Sequence, residues 1–273
     1  MKKIAIAAKL TAVLLCLSLI AGVASSAAAA EDPVIGKCFD AFEAAEPIFS
    51  ELLEFVRDEI AAADEDDAEF NADEAEAMIK QLQNFAKKLD TLTSAIPPGD
   101  MDTGEGKTVK ATRDYLTMLK NISGDMHELV KYSIEFVEAV MPMVEESESY
   151  ENYEDLASEI YANTVASMEM LEKIKPPSYI AITHRDLLAR VAEFQEFAAD
   201  FYWAASMGDP LRIYSCVYRM ARIDVMFTKC GDNLNADIEL QLKQAERRLS
   251  GPISTLRDEL SAAFAPLKSG KGG

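Results

Sequence analysis

Histidine is nearly absent from this sequence, with His127 and His184 the only two among 273 residues. Neither sits in a His-Glu-x-x-His or Cys-x-x-Cys-His motif. The residues three positions before them are Gly124 and Ala181, where a di-iron bundle needs glutamate. Both histidines are therefore expected as ordinary surface or boundary residues. Gly-x-Ser-x-Gly, Ser-x-x-Lys and a glycine-rich phosphate loop are missing too, and no histidine stands beside a plausible nucleophile. Carboxylate pairs are common only because acids are common. The sequence indicates no enzyme and no cofactor.

Cysteine is scarce as well. Of four, Cys16 falls in the apolar leader described below, which leaves Cys38, Cys216 and Cys230. An odd number makes no disulfide framework, and no pair has zinc-site spacing. Cys216 and Cys230 share one helical pattern, where fourteen residues rise about 21 Å, too far for a disulfide. If one bridge forms, the expected pair is Cys38 with Cys230.

Positive charge is the third shortage: 27 Lys and Arg against 47 Asp and Glu. Without Lys2, Lys3 and Lys9 the balance becomes 24 against 47, or −23. That argues against nucleic acid and against an anionic membrane surface, since both reward clustered Lys and Arg. The acids concentrate between Glu31 and Glu76, where 17 of them face Lys37 and Arg57 alone. Asp64, Glu65, Asp66, Asp67, Glu69 and Asp73 lack the central glycine and alternating ligands of an EF-hand, so a solvated loop is the simpler reading.

Only one apolar run is long and uncharged, Leu10 to Val23. Met1-Lys2-Lys3 precedes it and a small-residue stretch ending at Ala30 follows it, the order of a cleavable secretory signal. Acylation at Cys16 is disfavoured because Leu15 occupies a position that generally takes a small residue. Residues 1–30 are thus expected to be removed, which leaves no transmembrane anchor and places the protein in the periplasm or outside the cell.

What the remaining chain does contain is helical periodicity. Met78, Leu82, Phe85, Leu89, Leu92 and Ile96 step by four and three, as do Tyr115, Leu119, Ile122, Met126 and Leu129. The rhythm recurs less cleanly in Ile160, Thr164, Ser167, Leu171 and Ile174. It returns in Leu187, Val191, Phe194, Ala198, Phe201 and Ala205, and from Phe227 through Cys230, Leu234, Ile238, Leu242 and Ala245 to Leu249. No stretch of similar length alternates in the manner of a strand. Pro97-Pro98, Pro176-Pro177, Gly208-Asp209-Pro210 and Gly251-Pro252 punctuate the pattern, and Pro47 and Pro142 predict kinks or short interruptions. The predicted helices are 34–63, 73–96, 107–147, 151–175, 179–206, 209–249 and 252–265. The expected fold is all-α: an elongated up-and-down bundle of six to seven helices over 31–267, with a flexible tail at 268–273.

A short repeat links Leu92 through Pro98 with Leu171 through Pro177, each followed by an Arg-Asp pair, Arg113-Asp114 and Arg185-Asp186. It raises two related three-helix units, 31–147 and 151–249. Bundles also reuse stop-and-start chemistry, so duplication and reuse both stay open.

Two sets of side chains suggest binding. Phe194, Phe197, Phe201, Tyr202 and Trp203 crowd one helix. Phe194 and Phe201 lie on the seam and read as core, whereas Trp203 falls off it. Trp203, with Tyr202 and Phe197, is the candidate surface for a protein partner or an apolar small ligand. The alternative is copper held by thioethers, with Met141, Met143, Met168, Met170 and His127 as candidate ligands. Residues two apart do not share a helix face, which weighs against the methionine pairs. The leading expectation is an exported, non-catalytic helical bundle that works by binding. Terminal sequencing and intact mass of the exported protein should show an unmodified chain starting at Glu31; a chain starting at a lipid-modified Cys16 would reverse this reading of the leader.

Overall fold

The structure, a computed structural model, describes residues 33–62, 72–97, 104–144 and 152–270. The leader with its cleavage point, the acidic loop 64–71, Pro98 and residues 271–273 lie outside the described residues. Seven α-helices follow in order: α1 (Pro33–Ala62), α2 (Ala72–Ala95), α3 (Gly104–Val144), α4 (Tyr153–Leu171), α5 (Ala181–Ser206), α6 (Pro210–Arg248) and α7 (Ser254–Gly270). No strand occurs among the described residues, and the fold is an all-α helical bundle.

The seams read from periodicity are where the burial is. Met78, Leu82, Leu89 and Ile96 of α2 are buried, and so are all five seam residues of α3 from Tyr115 to Leu129. Helix ends also follow the local chemistry. Asp209 Oδ1 accepts hydrogen bonds from the amides of Leu211 and Arg212 at 3.1 and 3.2 Å, capping α6, with Pro210 opening the helix. Just before it, Gly208 takes the left-handed backbone at φ +62°, which a residue without Cβ adopts without strain. Asn152 caps α4 in the same manner as Asp209.

Pro47 and Pro142 lie inside α1 and α3, which run through them without interruption. Three expectations need correction. Gly251-Pro252 does not stop the last long helix. The chain widens into a π-helical turn, Leu249–Ile253, and continues directly into α7. A wider turn moves the preceding carbonyl away from the proline ring, and burial of Leu249 and Ile253 holds it in place. The tail expected from 268 is helical as far as Gly270. Lys268 pairs with Glu43 at 3.4 Å and lies over the Phe42 ring, so its charge and its stem are both engaged. The expected Cys38–Cys230 disulfide is not formed. Cys38, Cys216 and Cys230 are all buried thiols, and Cys38 and Cys230 belong to the cores of different compact units.

The described residues divide into two compact units, each drawn from parts of the chain. One, the central unit, is Leu129–Leu240; the other, the terminal unit, comprises the described parts of Leu10–Glu65, Asn71–Glu128 and Gln241–Gly273. Helices α3 and α6 each supply residues to both.

The terminal unit has an aromatic core in which Phe42 packs on Tyr115 and on Phe264, with ring centres 5.6 and 5.5 Å apart. Glu46 is the polar tie within it. Its carboxylate accepts from both Arg257 Nε (2.9 Å) and Tyr115 Oη (3.0 Å), joining α1, α3 and α7. The Arg257 guanidinium also covers the Phe49 ring at 5.0 Å, and Glu46 raises its pKa. Burial, reinforced by the Glu46 charge, pushes the Tyr115 phenol above its ordinary value. At the end of α2, Arg113 donates to the Ile96 carbonyl at 3.1 Å, so one Arg of the repeat closes a helix end.

Glu59 is the exception in this unit. It is buried, and no described residue hydrogen-bonds its Oε1. Burial first, and the neighbouring Asp58 second, push its carboxyl up to about 8. At neutral pH it is therefore the protonated acid that is folded. Since the folded state holds this proton more tightly than the unfolded chain does, the contribution of Glu59 to stability is fully present at low pH and is lost as pH rises from about 4.5 through 8. Glu59→Gln should remove that slope. Chemical denaturation should show the variant more stable than the parent by roughly 3–5 kcal/mol at pH 9 and nearly equal to it at pH 4. Equal stability at both pH values would mean the carboxyl is solvated after all.

Candidate functional site

The central unit contains the residues singled out for binding. Its core joins Ala157 of α4, Phe197, Ala198 and Phe201 of α5, and Cys216 and Ile223 of α6. The phenylalanines stack in sequence, Phe194 on Phe197 at 5.6 Å and Phe197 on Phe201 at 6.1 Å, while Phe227 meets Phe194 edge-on. Arg219 reaches back from α6, ion-paired with Asp200 and 5.9 Å from the Phe197 ring centre.

Phe197 is thus a core residue and not part of a binding surface, with only 1 % of its area exposed. It lies one turn before Phe201 on the same face. With Ala204 and Phe194 it shows that α5 buries a broader stripe than a heptad seam predicts. Trp203 stays well exposed (59 %), pointing away from that stripe. Tyr202 is partly exposed and stacks on Tyr161 of α4, their rings 6.2 Å apart and within 13° of parallel.

His184 also departs from expectation. It is buried at the start of α5, where Tyr132 Oη lies 3.1 Å from its Nδ1. Burial lowers its pKa, opposed by a hydrogen bond to the Leu171 carbonyl, so the ring is neutral with a partner on each side. It ties α3, α4 and α5 together. Burial raises the pKa of Tyr132 in turn. His127 belongs to the terminal unit, where its Nε2 lies 2.9 Å from Gln83 Nε2.

Of the copper candidates, Met141, Met143, Met168 and Met170 belong to the central unit and His127 to the terminal unit. Met141 and Met170 are exposed, and Met143 faces a cavity. Among the described residues, no group of three or more His, Cys, Asp or Glu is arranged to hold a metal. Cys216 and Cys230 have thiols pushed up by burial, which disfavours the thiolate that a metal needs.

The cavity beside Met143 is lined by Tyr132, Phe136, Leu187, Phe227 and Cys230 among others, and holds about 20 Å³. That is room for one water molecule, whereas small-molecule sites run to about 300 Å³ or more.

What sequence reasoning missed is the outer face of α6. Its inner face carries Cys216, Ile223, Phe227 and Cys230 into the core. Leu211 (82 % exposed), Tyr214, Val217, Tyr218 and Val225 (68 %) point to solvent. Leu211, Tyr214, Tyr218, Ala221 and Val225 step by three, four, three and four, a second heptad seam about half a turn round from the first. Tyr214 and Tyr218 meet edge-on at 5.2 Å, their hydroxyls 3.3 Å apart. The signal was legible in the spacing, but the inner stripe on the same helix hid it.

Compared with known protein families, curated proteins and solved structures, this chain matches none.

Proposed function

We propose that this is an exported, non-catalytic helical protein that acts by binding a protein partner through the end of α5 and the first half of α6. The observation that carries the reading is the exposure of Leu211, Tyr214, Tyr218 and Val225 along one face of α6, with Trp203 at the end of α5 exposed as well. Scattered exposed apolar residues are ordinary, but a run of them along one helix face is what binding surfaces leave uncovered. Tyr and Trp are the side chains that anchor such interfaces, because they bury much area with few torsions. A small apolar ligand is the weaker half of the original expectation, since the cavity near Met143 is too small for one. Among the described residues no helix is long and apolar enough to cross a membrane, so the surface is not explained as a membrane span.

A photo-cross-linking residue placed at Trp203 in the producing cells should yield a discrete protein adduct in the exported fraction. The same residue at the polar, exposed Glu196 should not. Trp203→Ala should cost under about 1 kcal/mol of unfolding free energy, as an exposed side chain does, while abolishing the adduct formed from a second probe at Tyr214. A loss of roughly 3–5 kcal/mol would make this tryptophan structural instead.

A further inference from the structure

The outer seam of α6 has an electrical character opposite to that of the chain. Across 210–229 there are four basic residues, Arg212, Arg219, Arg222 and Lys229, and one acid, Asp224. The whole protein is at −20. Two of the four cations are already used, Arg212 against Asp209 at 3.5 Å and Arg219 against Asp200. Arg222 and Lys229 make no ion pair among the described residues, and both are exposed. They stand seven apart in the register of the seam, Arg222 beside Ala221 and Lys229 just past its end, so both lie along one edge of the apolar stripe. The seam itself ends near Val225, where Thr228, Asp232 and Asn235 replace apolar residues at the following positions.

We infer that α6 is a docking face for one amphipathic partner helix, apolar along its own seam and acidic along the edge that meets Arg222 and Lys229. This rests on the reading above, that the protein binds a partner through this region, and adds the partner's form and charge. The form follows from the heptad spacing: a stripe of about 21 Å with steps of three and four accepts the knobs of another helix. The sign follows from the edge, because two unpaired cations beside a desolvated seam reward carboxylates and penalise lysines.

A second copy of this chain fits worse. Antiparallel pairing through a twofold axis sets Arg222 and Lys229 against the same cations of the other copy. Parallel pairing brings Asp224 to Lys229 but leaves Arg222 opposite Val217. An anionic bilayer would attract the four cations, yet it would repel the rest of a protein at −20.

The test uses the full exported chain and two synthetic helices of about three heptads, with leucine at the seam positions and either glutamate or lysine on both flanks. Fluorescence anisotropy at low salt should show the glutamate peptide binding and the lysine peptide not. Arg222→Glu with Lys229→Glu should weaken the glutamate peptide at least about tenfold and admit the lysine peptide instead. An unchanged melting temperature shows that the variant is folded. Tyr218→Asp should abolish binding of either peptide, and the glutamate complex should weaken with added salt. Equal binding of both peptides, or no binding of either, overturns the inference. So does sedimentation of the protein with phosphatidylglycerol vesicles in a Tyr218-dependent manner without peptide binding, which would make the face a membrane surface. A concentration-dependent dimer abolished by Tyr218→Asp would equally overturn it in favour of self-association. The broader binding proposal is judged separately by cross-linking at position 203. An adduct there that survives the double charge reversal, with no peptide binding, sinks this inference alone.

Discussion

The constraint on which this structure depends is that each helix must hide an apolar stripe, and the neighbouring helices are all there is to hide it with. Among the described residues there is no strand, and the three cysteines make no disulfide. Backbone hydrogen bonds are satisfied within each helix and contribute nothing to which helix lies next to which. Side-chain burial therefore selects the neighbours. The aromatic packing of Phe42, Tyr115 and Phe264 does this in the terminal unit, and the stack of Phe194, Phe197 and Phe201 does it in the central one.

Polar ties refine what burial selects. Glu46 and His184 solve the same problem in opposite ways. Glu46 lies half-buried with Arg257 and Tyr115 both donating to its carboxylate, so its oxygens are compensated by partners. His184 stays neutral, its ring nitrogens occupied by Tyr132 and the Leu171 carbonyl, which avoids burying a charge at all. Each reaches three helices, so each specifies an arrangement that apolar contact alone would leave degenerate. Glu59 has neither solution, and its buried carboxyl is a place in the terminal unit where burial and polarity conflict.

Most of the architecture was legible in the sequence because a heptad seam depends only on local spacing. Every predicted helix exists, and Asp209 with Pro210 starts α6 where capping chemistry puts it. Spacing identifies the centre of a buried stripe but not its width, which depends on how many neighbours surround the helix. Phe197 lies at the margin of its stripe, so the seam pattern left it outside while the packed unit covers it. His184 falls in register three residues before Leu187, but as a polar residue at the helix start it does not read as part of the stripe. The π-helical turn at Leu249–Ile253 is a further case: Gly251-Pro252 weakens a helix locally, but burial on both sides of the pair outweighs that weakness. The repeat also divides on inspection. Arg113 closes the end of α2, whereas at the end of α4 it is His184, not Arg185, that reaches a carbonyl.

Helix α6 sharpens the same point, since it carries two stripes and the fold covers only one over its first half. Exposing a second seam invites unspecific association, and the composition of this one limits it. Two of its larger members are tyrosines whose hydroxyls bond to each other and to water, so the face is wettable when empty. Ala221, between Tyr218 and Val225, is small where a continuous leucine ridge would be a sticky edge. The basic edge acts in the same direction by repelling other cations and by tying affinity to charge as well as to area. On the proposal made above, such a face is wettable when empty and gains from desolvation when a complementary helix meets it. Those two demands are what tyrosine, alanine and arginine, rather than leucine throughout, would serve on the outer side of a helix whose inner side is plain core.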